Sequence, residues 1–131
     1  MGKYVSTYFS PNRGAADTLI GFIGRCEHTL DAAVYSITHD GIRDALIAAH
    51  NRGVRVRILT DSLQAKGRYS DDEALEDSGI AVLRDTQSGS MHNKVIIGDG
   101  KAVGTGSFNW SKNADKRNAE NFLIVRLTYV V

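Results

Sequence analysis

One short stretch of the sequence, MHNKVIIGDGKAVGTGSFN, places a histidine, a lysine, a serine and an asparagine around an apolar run. His92 and Lys94 precede an apolar run. Ser107 and Asn109 follow it, after two turns that contain glycine. In a β-strand, residues two apart point to the same face, so His92 and Lys94 are expected to project together while Asn93 points away. If a hairpin returns the chain between the two pairs, all four polar side chains converge on one spot.

This set of side chains suits a phosphodiester. A neutral imidazole such as that of His92 is a competent nucleophile near neutral pH. Lys94 and the Asn109 amide supply donors for non-bridging oxygens, whose charge must be stabilised in the transition state. Gly104 and Gly106 would let the backbone approach an anion. A lysine beside the histidine argues against a metal-ligand cluster because it would repel the cation, so no metal and no cofactor are expected.

Length and composition limit the number of domains and the class of protein. A chain of 131 residues has room for one domain with a real core. Its 42% hydrophobic and 24% charged residues are typical of a soluble globular protein, and its apolar runs are too short for a membrane span. The net charge of +1 neither supports nor excludes a nucleic-acid partner, so any attraction for phosphate must come from local clusters. No secretory h-region is visible at the N-terminus, so we expect the cytoplasm, or the periplasm or secretion if a leader has been removed.

The hydrophobic pattern alternates between the strand and the helix period. It predicts strands at 3–9, 30–37, 54–59, 81–83, 94–97, 101–103 and 122–127, and helices at 15–26, 41–52, 71–77 and, less regularly, 111–118. Asp40 is expected to cap the second helix, and Ser70 with Glu73 to form a capping box for the third. The β-α-β-α-β start indicates an α/β sandwich with a partly parallel sheet. The sequence stops at Val131 in apolar residues with no closing helix, which predicts either truncation or a partner over that edge.

The spacing H-x-K-x4-D-x6-G-S-x-N resembles the HKD motif of the phospholipase D superfamily, and most of all its small single-motif bacterial endonucleases, the Nuc-like proteins. The segments DAAVYSITHDGIRDALIAAHNRGVRVRILTD and NAENFLIV are similar to the same family, so the resemblance covers nearly the whole chain. It implies one domain over 1–131 and a phospholipase D-like α/β/α sandwich, in which helices flank a central mixed, partly parallel sheet.

The resemblance also implies residue roles. His92 would be the nucleophile that forms a phosphohistidine. Lys94 and Asn109 would bind the phosphate, with Ser107 assisting. Glu120 matches the acid that hydrogen-bonds the other ring nitrogen of the histidine and fixes its tautomer. Family members of this kind need no metal.

Other residues near the motif have a structural alternative. Asp99 lies in the hairpin turn, where aspartate is favoured anyway, so we expect it, like Gly106, to serve the structure of the motif. Lys66 and Arg68 are candidates for contacts with the substrate backbone, but could equally form a solvated face. Trp110 could stack a base or, as we favour, pack under the sheet.

Three residues outside the motif have a predicted place of their own. Tyr35 is expected to lie in the core, because it falls in the middle of a predicted strand. His39 follows that strand and is a candidate for the rim of the pocket, since parallel strands carry ligand sites at their carboxyl ends. Cys26, the single cysteine, excludes an internal disulfide and is expected to be a packed thiol.

In-line displacement at phosphorus needs a nucleophile on one side and a proton donor for the leaving oxygen on the other. One motif provides one suitable histidine, so a homodimer with its two-fold axis through the site would supply the second. The main hypothesis is therefore a dimeric, metal-independent phosphodiesterase, a nonspecific endonuclease acting on DNA or RNA. A phospholipid-directed relative is the first alternative, although no membrane-facing rim is visible and no stable membrane association is expected. A non-catalytic nucleic-acid-binding module is the second, and the intact His92 counts against it.

Overall fold

The computed structural model describes residues 5–126. Its strands are β1 (Val5–Ser10), β2 (Thr29–Val34), β3 (Arg55–Asp61), β4 (Ala81–Asp85), β5 (Lys94–Gly98), β6 (Ala102–Gly106) and β7 (Glu120–Arg126). Its helices are α1 (Ala15–Arg25), α2 (Asp40–Asn51), α3 (Ser62–Ala65), α4 (Asp72–Asp77) and α5 (Lys112–Lys116). The first two residues of the strand predicted at 3–9, the last residue of the strand predicted at 122–127, and the apolar C-terminus lie outside the described residues.

The strands form one mixed sheet with the order β1-β7-β6-β5-β2-β3-β4. The strands β2, β3 and β4 pair in parallel. The strands β5, β6 and β7 form an antiparallel meander that joins β2 on one side and β1 on the other. The prediction of a central mixed, partly parallel sheet flanked by helices is confirmed.

The two long helices have amphipathic sequences, and each buries the face that its spacing predicts. The buried residues are Leu19, Phe22 and Ile23 of α1 and Ile42, Leu46 and Ala49 of α2. They pack with the inward residues of the central strands, which include Leu30, Val56, Ile58 and Ile96. Within residues 5–126 no helix is both long and apolar enough to cross a membrane.

The opposite face of the sheet carries a shallow apolar groove of about 510 Å³ across β2, β3, β4 and β5. Leu83 and Ile97 lie in this groove and are 71% and 39% exposed. Asp31 and Arg57 form an ion pair at 2.6 Å in its lining. The core of the described chain therefore lies mainly on the α1–α2 side of the sheet.

Two predicted helix caps are wrong by one residue. The cap of α2 is His39, whose Nδ1 accepts a hydrogen bond from the Ile42 N–H at 3.3 Å, and Asp40 is the first helical residue. The capping box of Ser70 does not form, because α4 begins after Asp71 and the Ser70 hydroxyl instead binds the N–H and carboxylate of Asp72. In both places the backbone reaches its helical angles one residue later or earlier than the local pattern indicates.

Candidate active site

The β5–β6 hairpin brings the two halves of the motif together. Lys94 begins β5, Gly106 ends β6, and Glu120 begins the neighbouring β7, so these residues share one edge of the sheet. A cleft of about 490 Å³ opens there, lined by His92, Asn93, Lys94, Thr105, Gly106, Ser107, Asn109 and Glu120. The five residues predicted to be catalytic thus lie around one cleft, and Asn93, which was expected to point away, also contributes to its wall.

Lys94 folds back over His92. Its Nζ lies 2.8 Å from the His92 Nδ1 and 3.3 Å from Nε2, and it donates to the His92 carbonyl oxygen at 2.8 Å. If the Lys94 ammonium donated along the lone pair of one ring nitrogen, it would lie in the plane of the ring and much farther from the other nitrogen. Because it is close to both nitrogens, it lies over the face of the ring. Burial lowers the pKa of Lys94, and the charge of Glu120 offsets part of that effect. An anion in the cleft would compete with the histidine for this ammonium.

Glu120 lines the cleft but makes no hydrogen bond to His92 among the described residues. The expected histidine–carboxylate pair is therefore not formed within residues 5–126, where the Lys94 ammonium lies over the His92 ring instead. Glu120 acts on that lysine through its charge.

Ser107 and Asn109 face the cleft from the segment after β6. The Ser107 hydroxyl oxygen accepts from the Asn121 N–H at 3.0 Å, which fixes its position and leaves its own proton free to donate. The Asn109 Oδ1 is buried and has no hydrogen-bond partner within the described chain. Gly106 has φ +145°, and a Cβ there would collide with the Asn121 carbonyl oxygen, so only glycine lets β6 pass so close to β7.

Gly104 plays a different part from the one expected. A Cβ at this position would run into Phe122 and Ile96, so the glycine serves core packing rather than the approach of an anion.

Asp99 lies at the far end of the hairpin and does not line the cleft. Its carboxylate accepts from the backbone N–H groups of Glu27 at 2.9 Å, His28 at 2.6 Å and Thr29 at 2.9 Å. Partial burial alone would raise the pKa of Asp99, but these hydrogen bonds outweigh it and the net pKa is lowered. The motif aspartate therefore ties the hairpin turn to the start of β2.

Trp110 cannot stack a base, because it is only 1% exposed. The backbone N–H of Trp110 donates to the Ser36 carbonyl at 3.1 Å, and the Trp110 backbone carbonyl accepts from the Thr38 N–H at 2.8 Å. The indole is part of the core, and this backbone pairing holds the segment that carries Asn109 against the segment that follows β2. The substrate-binding role for Trp110 is thus wrong, and its packing role is the correct one.

Lys66 and Arg68 are exposed in the loop after α3, and neither lines the cleft. The Arg68 guanidinium lies 5.5 Å from the centre of the Tyr69 ring. The loop approaches the site indirectly, since Gln64 of α3 donates to the Tyr35 hydroxyl at 3.0 Å. Contact of these two cations with a substrate stays a prediction.

Tyr35 is half-buried and contacts His92, so it is not the core residue that its position predicts. Because β2 ends at Val34, the tyrosine lies beyond the strand, with its ring centre 4.6 Å from that of His92. Its place at the carboxyl end of a parallel strand predicts a position near a ligand site, as the same rule does for His39. His39 instead caps α2 and contacts Asp115 at 2.9 Å, and it does not line the cleft.

Neither a reactive thiol nor a metal-ligand cluster is present in residues 5–126. Cys26 is buried, and its burial, followed by the charge of Asp99, raises the pKa of the thiol to about 11. The thiol is therefore protonated at neutral pH, as expected for a packing residue. No group of three or more His, Cys, Asp or Glu side chains in this part of the chain is arranged to hold a metal ion.

Solved structures with this fold include relatives of clear sequence similarity. Nuc from Salmonella typhimurium, described as a phospholipase D family member, superposes with a TM-score of 0.88 at 34% identity, over 95% of this chain and 83% of that one. NucT from Helicobacter pylori superposes with a TM-score of 0.84 at 30% identity, over 93% of this chain and 84% of that one.

Curated sequences give similar relatives. The chain is 43% identical to a phospholipase D of Rickettsia prowazekii over 121 residues, 92% of this chain and 59% of the relative. It is 41% identical to a mitochondrial cardiolipin hydrolase of Chlamydomonas reinhardtii over 106 residues, 81% of this chain and 48% of the relative. The chain thus spans about half to three-fifths of the length of these relatives.

Residues 19–131 match the family described as "Cardiolipin synthase, PLD-like domain", which covers most of the sequence. The structural superpositions and the sequence similarities agree with this match. The chain therefore belongs to the phospholipase D-like domain family.

Proposed function

We propose that this chain is a metal-independent phosphodiesterase that cuts nucleic acid as an endonuclease, with His92 as its nucleophile. The observation that carries the proposal is the convergence of His92, Lys94, Ser107 and Asn109 on one open, polar cleft. An imidazole with an ammonium, a hydroxyl and an amide around it is equipped to attack a phosphodiester and to hold its oxygens.

In the first step an imidazole nitrogen of His92 attacks phosphorus, and the bond from phosphorus to the leaving oxygen breaks. The leaving oxygen takes a proton from a general acid on the opposite side. Water then attacks the phosphohistidine, the phosphorus–nitrogen bond breaks, and the proton of the water returns to the acid–base group. Lys94, Ser107 and Asn109 donate to the non-bridging oxygens throughout.

We propose that a second copy of His92 is the general acid, in a homodimer whose two-fold axis passes through the cleft. His28, His39 and His50 do not line the cleft, so in residues 5–126 one chain brings a single histidine to it. A second copy of the same chain would supply its own His92 as the missing proton donor.

The endonuclease assignment rests on the resemblance to the Nuc-like endonucleases and on the structural similarity to Nuc and NucT. A phospholipid substrate is the second candidate, favoured by the relatives that are named phospholipase D and mitochondrial cardiolipin hydrolase. Both substrates are phosphodiesters, and the same cleft chemistry serves either.

The deciding experiment incubates the protein with supercoiled plasmid and with single-stranded DNA and RNA in excess EDTA. We expect cutting that persists in EDTA and is lost in His92→Ala. Cutting that requires a divalent cation would overturn the proposed mechanism. The molar mass at the assay concentration, measured by light scattering, should be that of a dimer, and an active monomer would refute the composite site.

The lipid candidate is tested in parallel with vesicles of phosphatidylcholine and of cardiolipin. Release of choline or of phosphatidic acid by wild type but not by His92→Ala, without cutting of nucleic acid, would replace the endonuclease assignment by the lipid one. Retention of labelled DNA without turnover of any substrate would favour a binding module.

A further inference from the structure

We propose that Asp61, Gln64 and Tyr35 form a bracket that positions the His92 ring for attack. The inference rests on the proposed function, in which His92 is the nucleophile. These three residues lie outside the motif, and they reach the nucleophile through a continuous chain of contacts.

The first contact is that of the two rings. The centres of Tyr35 and His92 are 4.6 Å apart and the rings are inclined by 52°, which is a favourable geometry for an aromatic pair. The Lys94 ammonium lies 5.4 Å from the centre of the Tyr35 ring. Because His92 hydrogen-bonds no carboxylate within the described chain, Tyr35 and Lys94 are the side chains that restrict its ring.

The second contact fixes the tyrosine. Its hydroxyl oxygen accepts from Gln64 Nε2 at 3.0 Å, which leaves the hydroxyl proton free to donate. Its backbone N–H donates to the carbonyl of Asn93, the residue between His92 and Lys94, at 3.0 Å. Tyr35 is therefore held at both ends, and its backbone is tied to the segment that carries the nucleophile.

The third contact closes the bracket. Asp61 is 4% exposed, and its two carboxylate oxygens accept from two different segments. One accepts from the Gln64 N–H at 3.1 Å and so caps α3, and the other accepts from the Met91 N–H at 3.0 Å. Since Met91 precedes His92, one buried carboxylate fixes both the backbone of the nucleophile and the helix that anchors Tyr35.

The proposed mechanism requires the His92 ring to be held in one orientation. In-line attack requires one ring nitrogen to point at phosphorus, and a misplacement of about 1 Å can cost about 100-fold in rate. His92 is an exposed side chain in the loop between β4 and β5, so no strand or helix restricts its ring. Tyr35 is thus a positioning residue that acts through His92.

The test compares Tyr35→Leu, which removes the ring, with Tyr35→Phe and Gln64→Leu, which remove only the hydrogen bond. We expect Tyr35→Leu to lower kcat by about 10- to 100-fold with little change in KM, because the defect is in ring placement rather than substrate binding. Tyr35→Phe and Gln64→Leu should show equal and smaller losses. Their double variant should be no worse than either single one, since both remove the same interaction.

A readout that does not depend on turnover is the rate at which diethyl pyrocarbonate modifies His92, followed by mass spectrometry. We expect it to rise in Tyr35→Leu and to return toward the wild-type rate in Tyr35→Phe. The rates at His28, His39 and His50 serve as internal references and should not change. Tyr8→Leu, the same change at a half-buried tyrosine that does not line the cleft, controls for a general loss of stability.

Wild-type kcat and a wild-type modification rate at His92 in Tyr35→Leu would overturn the bracket. If Tyr35→Leu does not fold, Tyr35→Phe and Gln64→Leu decide the question. An unchanged kcat in both variants, or losses that add in their double variant, would refute the bracket. If wild type cuts no phosphodiester at all, the proposed function fails. The bracket is then judged from the modification rates alone.

Discussion

The two ends of the β5–β6 hairpin are polar in different ways. At the turn, the Asp99 carboxylate accepts three backbone N–H bonds, so the fold itself satisfies the charge. At the open end, the Ser107 hydroxyl keeps its proton free to donate, and within residues 5–126 the Lys94 ammonium hydrogen-bonds only to His92. A carboxylate saturated by the backbone stabilises the protein, whereas polar groups left unpaired around a cleft are suited to a ligand. Asp99, the aspartate of the HKD motif, thus stabilises the fold rather than lining the cleft.

The largest effect should come from the open end. We expect His92→Ala and Lys94→Met each to lower kcat/KM on the substrate by about 1,000-fold or more, since one removes the nucleophile and the other a transition-state donor. Urea unfolding should show a stability close to that of wild type, because both side chains lie in an accessible cleft. A strong destabilisation by either variant would mean that this end is also part of the scaffold.

The turn should show the reverse pattern. Asp99→Ala leaves three backbone donors without their partner and should cost about 1–3 kcal/mol of unfolding free energy, measured by urea titration. Its kcat/KM should stay within about threefold of wild type under conditions where the protein is folded. A loss as large as that of Lys94→Met in a protein of unchanged stability would make Asp99 a functional residue after all.

The same comparison predicts a pH dependence. The pKa of Asp99 is lower in the folded chain than the ordinary aspartate value of about 3.9, so its contribution is fully present above that value. It is lost as the pH falls through the lowered folded pKa. The difference in unfolding free energy between wild type and Asp99→Asn should therefore be constant near neutral pH and shrink below about pH 4. A difference that persists unchanged in acid would show that the charge is not what stabilises the turn.

The smallest effect is expected at Lys66 and Arg68, which belong to neither end of the hairpin. If they touch the phosphates of a nucleic acid, each alanine variant should raise KM modestly and reduce the slope of log KM against log salt by about 1. The exposed Lys101 in the hairpin turn offers a matched control through Lys101→Ala. Equal salt slopes for all variants would assign the α3 loop to a solvated face.

Local sequence patterns predict the buried helix faces and the hairpin, because these features depend on residues that are neighbours in the chain. The helical spacing of Leu19 and Leu46 identifies buried helix faces, and the Gly98-Asp99-Gly100 turn identifies the hairpin whose ends meet. The H-x-K spacing places two side chains at one strand end. Errors of one residue at His39 and Asp71 arise because a cap is selected by backbone angles that its residue type only favours.

Periodicity, turn chemistry and spacing thus predict the motif, the seven strands and the two long helices, but not the short helix α3. The place of Glu120 in the cleft followed from the resemblance to the family, and that of Asn93 was not predicted. Three features required the tertiary structure: the burial of Trp110 in the core, the effect of the Glu120 charge on the pKa of Lys94, and the contact of Tyr35 with His92. These contacts join segments far apart in the chain. They arise because β2 pairs with β5 on one side and β3 on the other, which brings residues 35, 61–64 and 91–94 to one edge of the sheet. Spacing along a chain fixes which side chains share a face, and only the packing of strands fixes which faces meet.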